Sequence, residues 1–157
     1  MNPPRSNLRY PVLGWREWVE LPGLGGARLK AKIDTGARTS ALHAFDLEVS
    51  ELDGATMASF ELHPLQRSAR ETVRVQAEVA EFRKVRSSNG KVEKRPVIRT
   101  DVTLGEVTWP VEVTLTSRDE MGFRMLLGRT AVRRRFLVDP GRSFLQSRRD
   151  GHGKGKQ

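Results

Sequence analysis

A two-residue period governs this chain. Val111, Val113 and Leu115 alternate with Glu112 and Thr114, which puts three apolar side chains on one face of a strand and two polar ones on the other. The same alternation recurs through Ala58, Phe60 and Leu62, and again through Val73, Val75, Ala77 and Val79. Turn signals separate these runs: Asp53-Gly54, Ser87-Ser88-Asn89-Gly90, Gly105-Glu106 and Asp139-Pro140-Gly141. Asp-Gly between two strand-like runs is a strong hairpin signal, because both residues tolerate the left-handed backbone of a tight turn. No long helical period and no convincing internal repeat interrupts the pattern. Short strands with frequent turns predict an all-β barrel or sandwich.

Taken in order, residues 1–11 hold prolines and no period, and are expected to be a flexible arm. Strands are expected over 12–19, 28–33, 39–43, 46–52, 56–63, 73–79, 97–104, 107–115, 123–127 and 136–138. A terminal strand is expected over 143–145. Trp15 and Trp18 fit packing positions on the first of these. Residues 130–134 can form a turn or two of helix. Residues 12–146 read as one domain, followed by a basic, disordered tail over 147–157.

Composition narrows the class. A chain of 157 residues can bury a real core. It has no apolar run long enough to cross a membrane as a helix, and its first residues lack the apolar core of a signal peptide, so a cytoplasmic location is expected. With no cysteine, disulfides, thiolate nucleophiles and Cys-based zinc sites are excluded. The formal net charge is +9, clustered in Arg133-Arg134-Arg135, Arg148-Arg149, Lys154 and Lys156, which suits an acidic partner or a solvated basic surface. Aromatic residues are only 6% of the chain and are sparse among the basic clusters. Base stacking is therefore poorly supported, and nucleic acid is not the expected partner.

One place breaks the strand pattern abruptly. The run over 28–33 ends at Asp34-Thr35-Gly36-Ala37, although Asp and Gly are depleted in strands. Such a triplet is often an ordinary turn. It can also be a carboxylate presented on a tight loop, with glycine allowing close backbone approach. Downstream, Met125-Leu126-Leu127-Gly128-Arg129 is an apolar run ending in Gly and leading into the expected helix.

Together these two motifs resemble the retropepsin-type aspartic peptidases. The longer runs Gly14-Trp15-Arg16-Glu17, residues 32–45, Val85-Arg86-Ser87-Ser88-Asn89-Gly90 and residues 121–140 are similar to a bacterial retropepsin-like family whose members are named ATP-dependent zinc proteases. The resemblance covers about residues 12–146. It implies a closed acid-protease barrel with one short helix after Gly128. It also implies an aspartic endopeptidase in which Asp34 is catalytic, Thr35, Gly36 and Ala37 shape the loop, and Gly128 and Arg129 support it.

With one Asp-Thr-Gly per chain, a carboxylate pair sharing a proton requires Asp34 from each of two copies across a two-fold axis. A homodimer is therefore expected. Arg86, Ser87, Ser88, Asn89 and Gly90 form the candidate substrate-binding hairpin. A binding module on the same barrel, gripping a peptide or partner without cleaving it, is the alternative. Relatives of the family often occur with ATP-grasp glutamate ligases, which implies association with such a ligase and acidic or glutamate-modified protein tails as substrates.

Two features depart from the retroviral pattern. Arg38 stands where an Asp usually follows Asp-Thr-Gly-Ala, so Arg129 needs another acid or a carbonyl. The stretch between Asp34 and Gly128 is also longer. The zinc and ATP names draw no support from the residues. His43, His63 and His152 lack the spacing of His-Glu-x-x-His, and Leu24-Gly25-Gly26 lacks the Gly-Lys-Ser/Thr of a phosphate loop. No metal and no cofactor are expected, and His43 is expected to be a structural, hydrogen-bonded histidine.

Overall fold

The computed structural model describes residues 10–64, 72–86, 89–117 and 122–147. It is largely β, as the alternation predicts. The strands are β1 (Val12–Leu13), β2 (Arg16–Leu21), β3 (Ala27–Asp34), β4 (Ser40–His43), β5 (Phe45–Leu52), β6 (Ala55–Leu62), β7 (Val73–Glu78), β8 (Glu81–Arg86), β9 (Val92–Leu104), β10 (Val107–Thr116), β11 (Met125–Gly128) and β12 (Leu137–Val138). Among the described residues there is one helix, α1 (Arg129–Val132).

Six strands close a barrel in the order β10-β4-β11-β3-β2-β9, with β9 pairing back onto β10. Ala27, Leu29, Ala31 and Ile33 of β3 alternate inward. They meet Val111, Val113 and Leu115 of β10 and Met125 and Leu127 of β11 in one core cluster. Each fully buried leucine there contributes about 1.5–3 kcal/mol relative to exposure. Among the described residues no helix is long and apolar enough to cross a membrane.

Two structures adjoin the barrel: a second sheet, whose Ala58, Phe60 and Leu62 are buried in the same core cluster, and an arm. β5, β6 and β7 form a separate antiparallel sheet, with Asp53-Gly54 as its first hairpin turn, both at positive φ. β8 pairs with the first half of β9. Because the second half of β9 belongs to the barrel, these residues make an arm, with β8 at the end of its sheet order.

Several boundaries differ from those expected. The first strand divides at Gly14-Trp15 into β1 and β2, because the backbone of Arg142 and Ser143 crosses so close to Gly14 that a Cβ would collide with it. Asp34 and Gly128 end strands rather than following them, and α1 begins at Arg129. Residues 143–145 are not a strand. One main-chain bond, Phe144 N to Arg16 O at 3.0 Å, and a side chain hold them instead. Leu145 N, Gln146 N and Ser147 Oγ donate to the carboxylate of Glu17 at 2.8, 3.1 and 2.7 Å, and Gly14 N donates at 2.7 Å. Glu17 is fully buried, and these donors replace the water it has lost. The expected arm and tail lie mostly outside the described residues.

Candidate functional site

Topology brings the two sequence motifs together. β11 inserts between β3, which it pairs in parallel, and β4, which it pairs antiparallel. Gly128 is thereby in register with Asp34. A Cβ on Gly128 would lie 2.5 Å from Thr39 O and 2.8 Å from Ala37 O, so only glycine fits under the loop that joins β3 to β4.

That loop is tied down by main-chain bonds. Gly36 N donates to Asp34 Oδ1 at 3.1 Å, and Ala37 N to Asp34 O at 3.2 Å. Arg129 N donates to Ala37 O at 2.7 Å and Thr130 N to Arg38 O at 3.2 Å. Gly128 N reaches Ser40 Oγ at 3.0 Å. Arg129 finds a carbonyl: its Nη1 donates to Thr35 O at 3.0 Å. Asp34 is half-buried, while Thr35 and Gly36 are exposed. This geometry gives Asp34, Gly36 and the Thr35 carbonyl roles in loop architecture.

Beside the loop is a cleft of about 620 Å³, lined by Arg38, Thr39, Arg83, Lys84, Val85, Arg86, Glu112 and Thr130. Asp34 is not among its lining residues. Arg86 of the expected substrate hairpin is, while Asn89 and Gly90 are exposed at the turn; Ser87 and Ser88 lie outside the described residues. Asn89 Oδ1 accepts from Lys91 N at 3.1 Å, and Gly90 O from Arg86 Nη1 at 3.1 Å, so these two side chains and this carbonyl shape the turn.

The cleft is cationic, with four basic residues and one acid in its lining. Arg83 is hydrogen-bonded to Glu81 and to Glu112 Oε1 at 3.3 Å. Glu112 Oε2 lies 3.6 Å from Arg99 Nη1. Glu81 and then Glu112 raise the Arg83 pKa above its ordinary value, against an opposing effect of burial. Its guanidinium is a permanent cation. A second, smaller cleft, lined by residues including Arg99, Trp109, Glu112, Thr130 and Arg135, shares Glu112 and Thr130 with the first. Trp109 is fixed there by Nε1 donating to Ala131 O at 3.1 Å.

Of the histidines, His43 is buried and stacks on Phe45 at 4.0 Å, and Phe45 stacks on His63 at 3.5 Å. Among the described residues no group of three or more His, Asp or Glu is placed to hold a metal ion.

Sequence reasoning overlooked Arg38, Arg83, Lys84 and Glu112 as a group. They come from the loop, β8 and β10, and only the closure of β9 onto β10 makes them neighbours. It also assigned no role to Glu17, although the alternation in β2 puts that residue on the face of Val19 and Leu21.

Comparison with known proteins adds three findings. A family model described as RimB-like, retropepsin-like aspartic endopeptidase RimB, matches residues 12–149. A probable alpha-L-glutamate ligase of Shewanella halifaxensis is 47% identical over 133 residues, which are 85% of this chain and 29% of that protein. A probable alpha-L-glutamate ligase of Parasynechococcus marenigrum is 50% identical over 132 residues, 84% of this chain and 28% of that protein. A solved structure from Legionella pneumophila, of unknown function, superposes with a TM-score of 0.71 at 28% identity, covering 87% of this chain and 98% of the other.

The chain spans less than a third of the length of the curated relatives it matches. Those relatives carry a ligase name, and this overturns the expectation of a hydrolase, an aspartic peptidase working through an Asp34 pair. The physical reason the motif misled is local: Gly128 leaves the space beneath the loop, and Asp34 Oδ1 accepts from Gly36 N within it, so these residues shape the loop whatever its chemistry.

Proposed function

This chain belongs to the RimB-like family of retropepsin fold, and from that premise we propose that it serves α-L-glutamate ligation by holding an acidic polypeptide for a ligase. The observation that carries this is the convergence of Arg38, Arg83, Lys84 and Arg86 on one cleft. It occurs in a chain that is 47% and 50% identical, over 85% and 84% of its length, to part of two proteins named glutamate ligases. A polypeptide that accepts or has accepted glutamate carries closely spaced carboxylates. A concave cationic surface raises its local concentration and fixes its register.

Val85 offers an apolar floor for side-chain methylenes. β8, at the end of its sheet order, offers a strand edge to an extended peptide. Activation of the glutamate carboxyl and formation of the amide bond are left to the ligase, as a separate partner or as the remainder of a longer chain.

The test is a fluorescence-anisotropy titration of this protein with labelled hexa-α-L-glutamate and with hexaglutamine. Saturable binding of hexaglutamate alone is expected, weakening as salt rises. Lys84→Glu combined with Arg86→Glu should reduce the affinity at least tenfold. Equal binding of hexaglutamine, or no effect of the double substitution, would reject the cleft as the binding surface.

A further inference from the structure

The acid inside the basic cleft is the unexpected group. Glu112 is on β10 between Val111 and Val113, whose side chains face the core, so its own side chain points out into the cleft. There it contacts Arg83 of the arm, whose Nη2 it shares with Glu81 of the same strand, and Arg99 of β9. Its carboxylate thus sits on a guanidinium that an incoming carboxylate would seek. Its side chain is 46% exposed, so nothing in the packing prevents it from swinging away.

We propose that Glu112 is the specificity-determining residue of the cleft, an internal carboxylate that must be displaced from Arg83, so that only ligands with several carboxylates bind. This rests on the cleft being the binding surface for acidic chains, as above. The physical basis is exchange. A ligand with one carboxylate breaks one half-exposed ion pair to make another of the same kind, and gains nothing net. A second and third carboxylate can reach Lys84, Arg86 and Arg38 without breaking a pair with Glu112. Affinity therefore rises steeply with the number of adjacent acids, and isolated Asp or Glu side chains of ordinary proteins are rejected.

The test compares wild type with Glu112→Gln, using diglutamate, hexaglutamate and inorganic tripolyphosphate as probes. Glu112 is exposed, and the variant should fold and melt within a few degrees of wild type. It should bind diglutamate at least fivefold more tightly. The gain for hexaglutamate should be smaller, so that the ratio between the two peptides shrinks. Unchanged or weaker binding of all three probes would overturn the proposal and leave Glu112 as a tie between strands. If neither protein binds a glutamate peptide but Glu112→Gln binds tripolyphosphate more tightly, the gate stands and the glutamate-chain reading of the cleft fails. No binding of any probe by either protein overturns both.

Discussion

Glu17 and Glu112 are the same residue type, each on a barrel strand, in opposite surroundings. Glu17 shares the inward face of β2 with Val19 and Leu21, is fully buried, and accepts hydrogen bonds from residues 14 and 145–147. Glu112 faces outward from β10 and meets the guanidinium groups of Arg83 and Arg99 at the rim of a cleft. Main-chain donors cannot move without moving the fold, so the first carboxylate is a fastening. Long cationic side chains can change partners at little cost, so the second is exchangeable. Charge alone does not distinguish structural from functional acids in this barrel. Burial and the nature of the donor do.

The sharpest way to break that contrast is Glu17→Ala. Removing the carboxylate strands several part-buried N–H donors and releases residues 143–147, which should destabilise the protein by about 3 kcal/mol or more. At this chain length that corresponds to a fall of roughly 6–12 °C in melting temperature. Limited trypsin digestion should then cut at Arg142 before the barrel unfolds. A melting temperature within 2 °C of wild type would show that the buried carboxylate fastens nothing.

Gly128→Ala tests a second fastening, made by shape rather than charge. The added methyl would meet the Thr39 carbonyl at 2.5 Å, and overpacking of this kind costs about 1–3 kcal/mol. The strain should appear as lost amide protection in the loop at residues 35–39, measured by hydrogen exchange. Binding in the cleft should weaken only through Arg38 and Thr39, which lie on that loop. Unchanged protection would mean that β11 can move away from the loop freely.

These contrasts also explain what was legible in the sequence. The alternations through Val111–Leu115, Ala58–Leu62 and Val73–Val79 were enough to find strands and an all-β class, because an apolar face leaves its period in the residues, although Thr114 on the polar face of β10 is itself buried. Asp53-Gly54 fixed a hairpin because its backbone demands those residue types. The division at Gly14 was not legible, since its cause is a segment 128 positions later in the chain. Nor was the cleft: Arg38, Arg83 and Glu112 have no spacing in common, and meet only through barrel closure. The Asp34 motif was legible as a loop but not as a chemistry, since the loop alone accounts for its residues.

Asp34 is the intermediate case, and its substitution should give the smallest effect. It is half-buried like a fastening, yet its carboxylate meets one exposed donor, Gly36 N. In Asp34→Asn the amide oxygen can still accept that bond, and Arg129 still donates to Thr35 O. Stability should therefore change by no more than about 0.5 kcal/mol, read from the midpoint of urea unfolding. Because Asp34 does not line the cleft, hexaglutamate affinity should stay within twofold of wild type. A tenfold loss of binding with unchanged stability would move the recognition site from the arm to the loop. Asp34 would then join Glu112 among the exchangeable acids, and the division between fastening and exchangeable carboxylates would have to be drawn by donor exposure rather than by side-chain burial.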